Sequence, residues 1–165
     1  MLFALCLKFK PKIKKLTFIL DNTVSGIYFN TVNNTSLTYF GKLMEYCIKV
    51  SDSKKYIILK ICVDVTAELT VRTAKDADQF AKAHNINLLL NDVRNVRNID
   101  PVKPTFEYSS NYLMPPEKSL IKKIANLIEP HDTSHSYVTA FMQSKGHNIK
   151  EFIDETAAVK WLEKE

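Results

Sequence analysis

The sequence predicts an α/β fold: a mixed, mainly parallel sheet of four to five strands flanked by helices, in the order β-β-α-β-α-β-α-β-α. Three observations predict it. Segments with a two-residue apolar period alternate with segments whose apolar residues recur at spacings of three and four. Leu88-Leu89-Leu90 is a short continuous apolar run of the kind found where both faces of a strand are covered, and Lys122–Ile128 reads as another interior strand. A chain of 165 residues with 45% hydrophobic content suits one domain of ordinary size with a real core.

Residues 1–43 are poor in acids, rich in Asn and Thr and without helical periodicity. They read as an N-terminal extension in which Leu16–Leu20 and Val24–Phe29 are short strands, a candidate hairpin around Asp21-Asn22-Thr23. Residues 44–165 form the α/β domain. Glu45–Val50, the turn Ser51-Asp52-Ser53-Lys54 and Tyr56–Asp64 read as an antiparallel hairpin, with Ile57, Leu59, Ile61 and Val63 on one face. Thr66 offers an N-cap, and Leu69, Thr73, Ala77, Phe80, Ala81 and His84 mark one face of a helix ending near Asn85. That helix feeds Leu88–Leu90, a strand–helix–strand unit that normally gives a parallel crossover. Pro101 and Pro104 punctuate a loop before a short aromatic helix, Thr105 to Leu113, which Pro115-Pro116 stops. After Lys122–Ile128, Pro130 breaks the strand, and Asp132 or Thr133 caps a helix that holds His135 in its first turn and turns Tyr137, Val138, Phe141 and Met142 inward. Gly146 stands where a left-handed C-cap is wanted. Ile149–Ile153 is a last strand, Asp154 caps, and Ala158, Trp161 and Leu162 line one face of the closing helix.

Composition excludes several functional classes. Cys6, Cys47 and Cys62 have no CxxC spacing, which argues against a zinc cage or a secreted disulfide framework and for reduced thiols in the cytoplasm. Gly26, Gly41 and Gly146 are the only glycines, so no Gly-rich loop wraps a phosphate. Met1–Leu7 is apolar but too short to span a bilayer, and its lysines follow rather than precede it, so neither a membrane span nor an export signal is expected. Charge is uneven: within residues 1–43 six lysines against Asp21 carry the whole net charge of +5, whereas basic and acidic residues cancel from Met44 onward. The Lys8–Lys15 arm offers contact with nucleic acid or an anionic surface, although short lysine runs are usually only solvated.

The ordered text Asn91-Asp92-Val93-Arg94 at the end of the central strand, Lys123-Ile124-Ala125, Lys145-Gly146-His147-Asn148-Ile149 and Ala157-Ala158-Val159-Lys160-Trp161-Leu162 resembles the SpoIIAA-like (STAS/SEC14-type) bacterial domains over residues 44–165. The resemblance implies a mixed sheet flanked by helices, and roles in anti-sigma-factor antagonism, regulation of partner proteins or binding of apolar small molecules. The antagonist branch carries an Asp-x-Ser-Gly segment with a phosphorylatable serine. Here it reads Asp92-Val93-Arg94-Asn95, so the phosphoserine switch does not carry over.

Three groups of residues are candidate sites for a ligand or partner. Asp92, Arg94 and Arg97 lie beyond the central strand, where open α/β sheets gather ligands, and the arginines could grip one anion; the plainer alternative pairs them with Asp92 and Asp100. Phe106 and Tyr112, with Tyr108, Leu113 and Met114, make a helix that acts as a lid or docking patch if exposed and as ordinary core if buried. His131 and His135 are four apart, but Pro130 places the first in a loop, and no third ligand is marked, so no metal is expected. Ser134, His135 and Asp132 coexist without a known catalytic spacing. The expectation is therefore a non-catalytic binding or regulatory domain without cofactor. Its partners are a protein or an apolar small molecule, a homodimer being one form open to it. Nucleic-acid or anionic-surface binding through Lys8–Lys15 is the alternative.

Overall fold

The computed structural model describes residues 44–164 and the backbone of Ile27–Tyr28. The expected strand Leu16–Leu20 and the Lys8–Lys15 arm lie outside the described residues. Within Val24–Phe29, Ile27–Tyr28 is a strand, β1. The others are β2 (Tyr46–Val50), β3 (Ile57–Ile61), β4 (Leu88–Asp92), β5 (Lys123–Leu127) and β6 (Ile149–Phe152). All six lie side by side in chain order. Only β2 and β3 pair antiparallel; every other neighbouring pair is parallel. The five longer strands are the mixed, mainly parallel sheet the sequence predicts, and the two-residue β1 extends its edge.

Four helices are described: α1 (Ala67–His84), α2 (Val102–Tyr112), α3 (Ser136–Ser144) and α4 (Glu155–Glu163). Period-two alternation sorts the strand side chains. Ile57, Leu59, Ile61, Leu89 and Ile124 join Leu69, Ala77, Phe80, Phe141 and Met142 in the larger core beneath α1 and α3. Leu90, Ala125 and Leu127 point the other way and meet Ala158 and Leu162 of α4. α2 packs on α1 and α3.

α1 follows its sequence signals closely. Thr66 Oγ1 accepts from the Leu69 amide, and Asn85 ends the helix in the left-handed region at φ 54°. His84 does not join the inward face; it is exposed, in the last turn, with its ring 4.3 Å from that of Phe80, so its nitrogens keep their water. α2 begins three residues earlier than the spacing predicts, because Pro104 falls inside its first turn rather than in the preceding loop. A proline there loses nothing, since first-turn N–H groups have no intrahelical acceptor. α3 begins one residue after His135, which occupies the cap position instead of the first turn. Asp132 closes the preceding turn by accepting from the Ser134 amide rather than capping the helix.

Beyond α3, Gly146 donates to the Gln143 carbonyl and His147 to that of Met142, the paired bonds of a Schellman turn. Gly146 has φ 91°, where an L side chain is strained. An added Cβ would meet Pro116 Cγ at an uncrowded 3.6 Å, so backbone strain alone is tested by substitution. Gly146→Ala is expected to destabilise the fold by about 1–2 kcal/mol, measured by urea unfolding, with the m-value unchanged.

Candidate functional site

The parallel strands β3 to β6 all end at one edge of the sheet, where ligands collect in open α/β folds. Register then decides which polar side chains meet. Lys60 stands opposite Asp92 on β3 and β4, and Asn91 opposite Asn126 on β4 and β5. Because successive residues alternate, Asn91 and Asp92 serve opposite faces of the sheet.

On the α4 face Asp92 is 7% exposed and surrounded by donors. Lys60 Nζ lies 3.0 Å from Oδ2. Arg94 donates its backbone N–H and Nε–H to Oδ1 at 3.1 and 3.0 Å, and an Nη2–H to Oδ2 at 2.9 Å. The same Nη2 reaches Glu155 Oε2 at 3.0 Å, tying the strand end to the first turn of α4. Burial pushes the Asp92 carboxyl up, but the hydrogen bonds from Arg94 and Lys60 outweigh it and hold the group below the usual carboxylate range.

On the opposite face Asn91 Nδ2 donates to Asn126 Oδ1 at 2.8 Å, and Asn126 Nδ2 to Thr139 Oγ1 of α3 at 3.3 Å. Tyr137 of α3 donates towards Asn98 Oδ1 at 2.8 Å, with the Asp100 carbonyl 3.1 Å away. Asn91 Oδ1 and Asn98 Nδ2 are buried without a hydrogen-bond partner among the described residues. Both residues line a cavity of about 90 Å³ between the sheet and the two helices α1 and α3, together with Asn126, Thr139, His135 and apolar neighbours such as Leu59 and Met142.

The residues singled out in the sequence separate into three places. Asp92 and Arg94 pair on the α4 face. Arg97 and His131 line an open groove between the loops that follow β4 and β5, so the two arginines do not converge on one anion. Asp100, the other carboxylate considered for them, instead accepts from the Ala67 amide at the start of α1. Asn95 and His131, one on each side of this groove, both have positive φ, 66° and 69°. His135 turns into the interior cavity, away from the groove that His131 lines.

The Asp132–Ser134–His135 group has no catalytic geometry. His135 Nε2 lies 3.0 Å from the Val96 carbonyl, so that nitrogen carries the proton and donates it to backbone. Ser134 Oγ accepts from the Asn98 amide. The imidazole thus faces backbone rather than the Ser134 hydroxyl, the pairing that nucleophilic catalysis would need. Among the described residues no three His, Cys, Asp or Glu side chains gather as a metal site.

α2 supplies the third place, and its faces are inverted. The buried side chains are the small polar Thr105 and Ser109, while Phe106, Tyr108 and Tyr112 are 50%, 37% and 62% exposed. Ile99 and Val102, just before and at its start, are exposed as well. Phe106 rests edge-on against Phe141, and Tyr108 packs beside Tyr112, so exposed aromatic surface lies on both flanks of the buried Thr105 and Ser109.

Sequence reasoning passed over Lys60, Asn91, Asn98, Asn126 and Thr139. A signal existed: Asn91 and Asn126 stand in interior strands, where a buried amide must find partners.

No family model matches the sequence, and no curated protein matches it. A solved structure similar to this chain is that of an uncharacterized protein of the DUF3478 family, with a SpoIIAA-like fold, from Shewanella loihica PV-4. The two are 18% identical, the match covers 71% of this chain and 91% of that one, and the TM-score is 0.46. The fold assignment rests on the strand order, register and helix placement described above. No helix among the described residues is long and apolar enough to cross a membrane.

The Asp92 cluster yields a test of sign as well as size. Asp92→Asn leaves two cations facing an amide, and because Lys60 and Arg94 keep one-third of their side-chain surface in water, the expected loss is about 1–3 kcal/mol at pH 7. A carboxyl held below its ordinary value of 3.8 stabilises the fold above that pH and ceases to as pH falls through the folded value. Urea unfolding of both proteins should therefore show the gap closing below pH 3.8.

Proposed function

We propose that this chain is a non-catalytic binding domain with a regulatory role, which engages a protein partner through α2. The observation that carries this reading is the inversion of that helix. Aromatic side chains that the spacing alone would assign to a core are exposed, while the small polar Thr105 and Ser109 are buried. Exposed Tyr and Phe side chains bury large area at little rotamer cost, the property that makes aromatics dominate interface energetics. The engagement of Ser134 and His135 with backbone groups supports the absence of catalysis. The Lys8–Lys15 arm lies outside the described residues, and no observation favours the nucleic-acid reading.

Native mass spectrometry of the full chain purified from cells, beside the Phe106→Ser/Tyr112→Ser variant, tests the proposal. The wild type should retain a protein partner, and the variant should bind it at least 30-fold more weakly, the loss of a hot spot of about 2 kcal/mol. The variant's own stability should change by less than about 1 kcal/mol, since both rings are half exposed or more. Undiminished binding by the variant would remove α2 as the contact surface, and a bare wild-type chain would remove the binding role itself.

A further inference from the structure

The cavity on the α1 and α3 side of the sheet is unlike an ordinary packing gap. Gaps left by imperfect packing are small and apolar. This one, of about 90 Å³, carries a directed polar chain in which Asn91 donates to Asn126 and Asn126 to Thr139. Its head, Asn91 Oδ1, is an acceptor with no partner. A second buried amide atom, the donor Asn98 Nδ2, is also unmet and belongs to another lining residue. Leaving one such group buried and unsatisfied costs about 1–3 kcal/mol, and here an acceptor and a donor are both unmet on residues of one lining.

The lining also defines what can enter. Among the described residues it contains no Asp, Glu, Lys or Arg. Its one ionisable side chain among the described residues, His135, donates Nε2–H to the Val96 carbonyl, with Asp132 at 3.7 Å. A charged ligand would lose its hydration and find no counter-ion in the lining. Most of the remaining wall is aliphatic, from Leu59 on the sheet to Met142 on α3. An engineered apolar cavity of about 150 Å³ takes benzene, so this smaller one suits a molecule of about four or five non-hydrogen atoms.

We infer that this cavity is a binding site for a small neutral molecule that carries both a hydrogen-bond donor and an acceptor on a short apolar body, the chemistry of a primary amide or an alcohol. The donor meets Asn91 and the acceptor Asn98, while the aliphatic wall takes the carbon chain. The inference deepens the reading of the chain as a binding domain by naming a ligand class, at a site separate from the α2 surface.

Propionamide, propionate and xenon, each titrated into the full chain at pH 7, separate the outcomes through the methyl NMR signals of Leu59, Val138 and Met142. Propionamide should shift all three saturably and displace xenon, whereas propionate should shift none. Asn91→Leu should weaken propionamide about tenfold, the worth of one good hydrogen bond, while xenon binds as well as before or better. Should that variant fail to fold, Asn98→Ser supplies the same comparison from the loop side. Methyl signals unmoved by propionamide would mean that the cavity holds water only. Equal binding of propionate, or an unweakened variant, would equally overturn the proposal. None of these failures bears on partner retention by α2, which mass spectrometry reads independently.

Discussion

The register of β4 between β3 and β5 is the constraint from which the polar organisation of this domain follows. It sets Asp92 opposite Lys60 and Asn91 opposite Asn126, so two adjacent polar residues each find a partner on their own face. A slip by one residue would reverse the faces. Asp92 would then enter the larger core, away from Lys60 and Arg94, and Leu89 and Leu90 would exchange their apolar neighbours. An unpaired buried carboxylate costs several kcal/mol, so the polar pairs select this register more sharply than the leucines, which fit either side.

The two faces are secured by different means. The α4 face has a small core of Leu90, Ala125, Leu127, Ala158 and Leu162, reinforced at its edge by the Arg94 bridge to Glu155. The other face has the larger core, yet it also holds the cavity and its amides. Asp78 of α1 bonds Ser119 Oγ and the Leu120 amide, pinning the segment that returns from α2 to β5. α2 itself buries only Thr105 and Ser109, little apolar area for eleven residues, which places it among the less firmly held parts of the fold.

Much of the architecture was legible because local signals agreed with one another. Thr66, Asn85, Gly146 and Asp154 mark helix ends by capping chemistry, and each acts as a cap or a C-terminal turn. The candidate site was less legible, because its content lies in which residues face one another across strands. Asp92 and Arg94 could be paired on paper, being two residues apart. Lys60 and Glu155 could not, since their approach depends on register and on where α4 docks. The aromatic helix was readable as a helix, but spacing cannot tell an outward face from an inward one when aromatics, Thr and Ser are spread around it.

The short segment Asn98–Asp100 has a consequence for how the molecule holds together. Asp100 holds the first turn of α1 through the Ala67 amide, Tyr137 of α3 bonds both Asn98 and Asp100, and α2 begins two residues later. Three helices therefore share one joint, and the amide of Asn98 reaches from it into the cavity. Loss of the Tyr137 hydroxyl or the Asp100 carboxylate would therefore remove contacts at the starts of two or three helices at once, rather than loosening one.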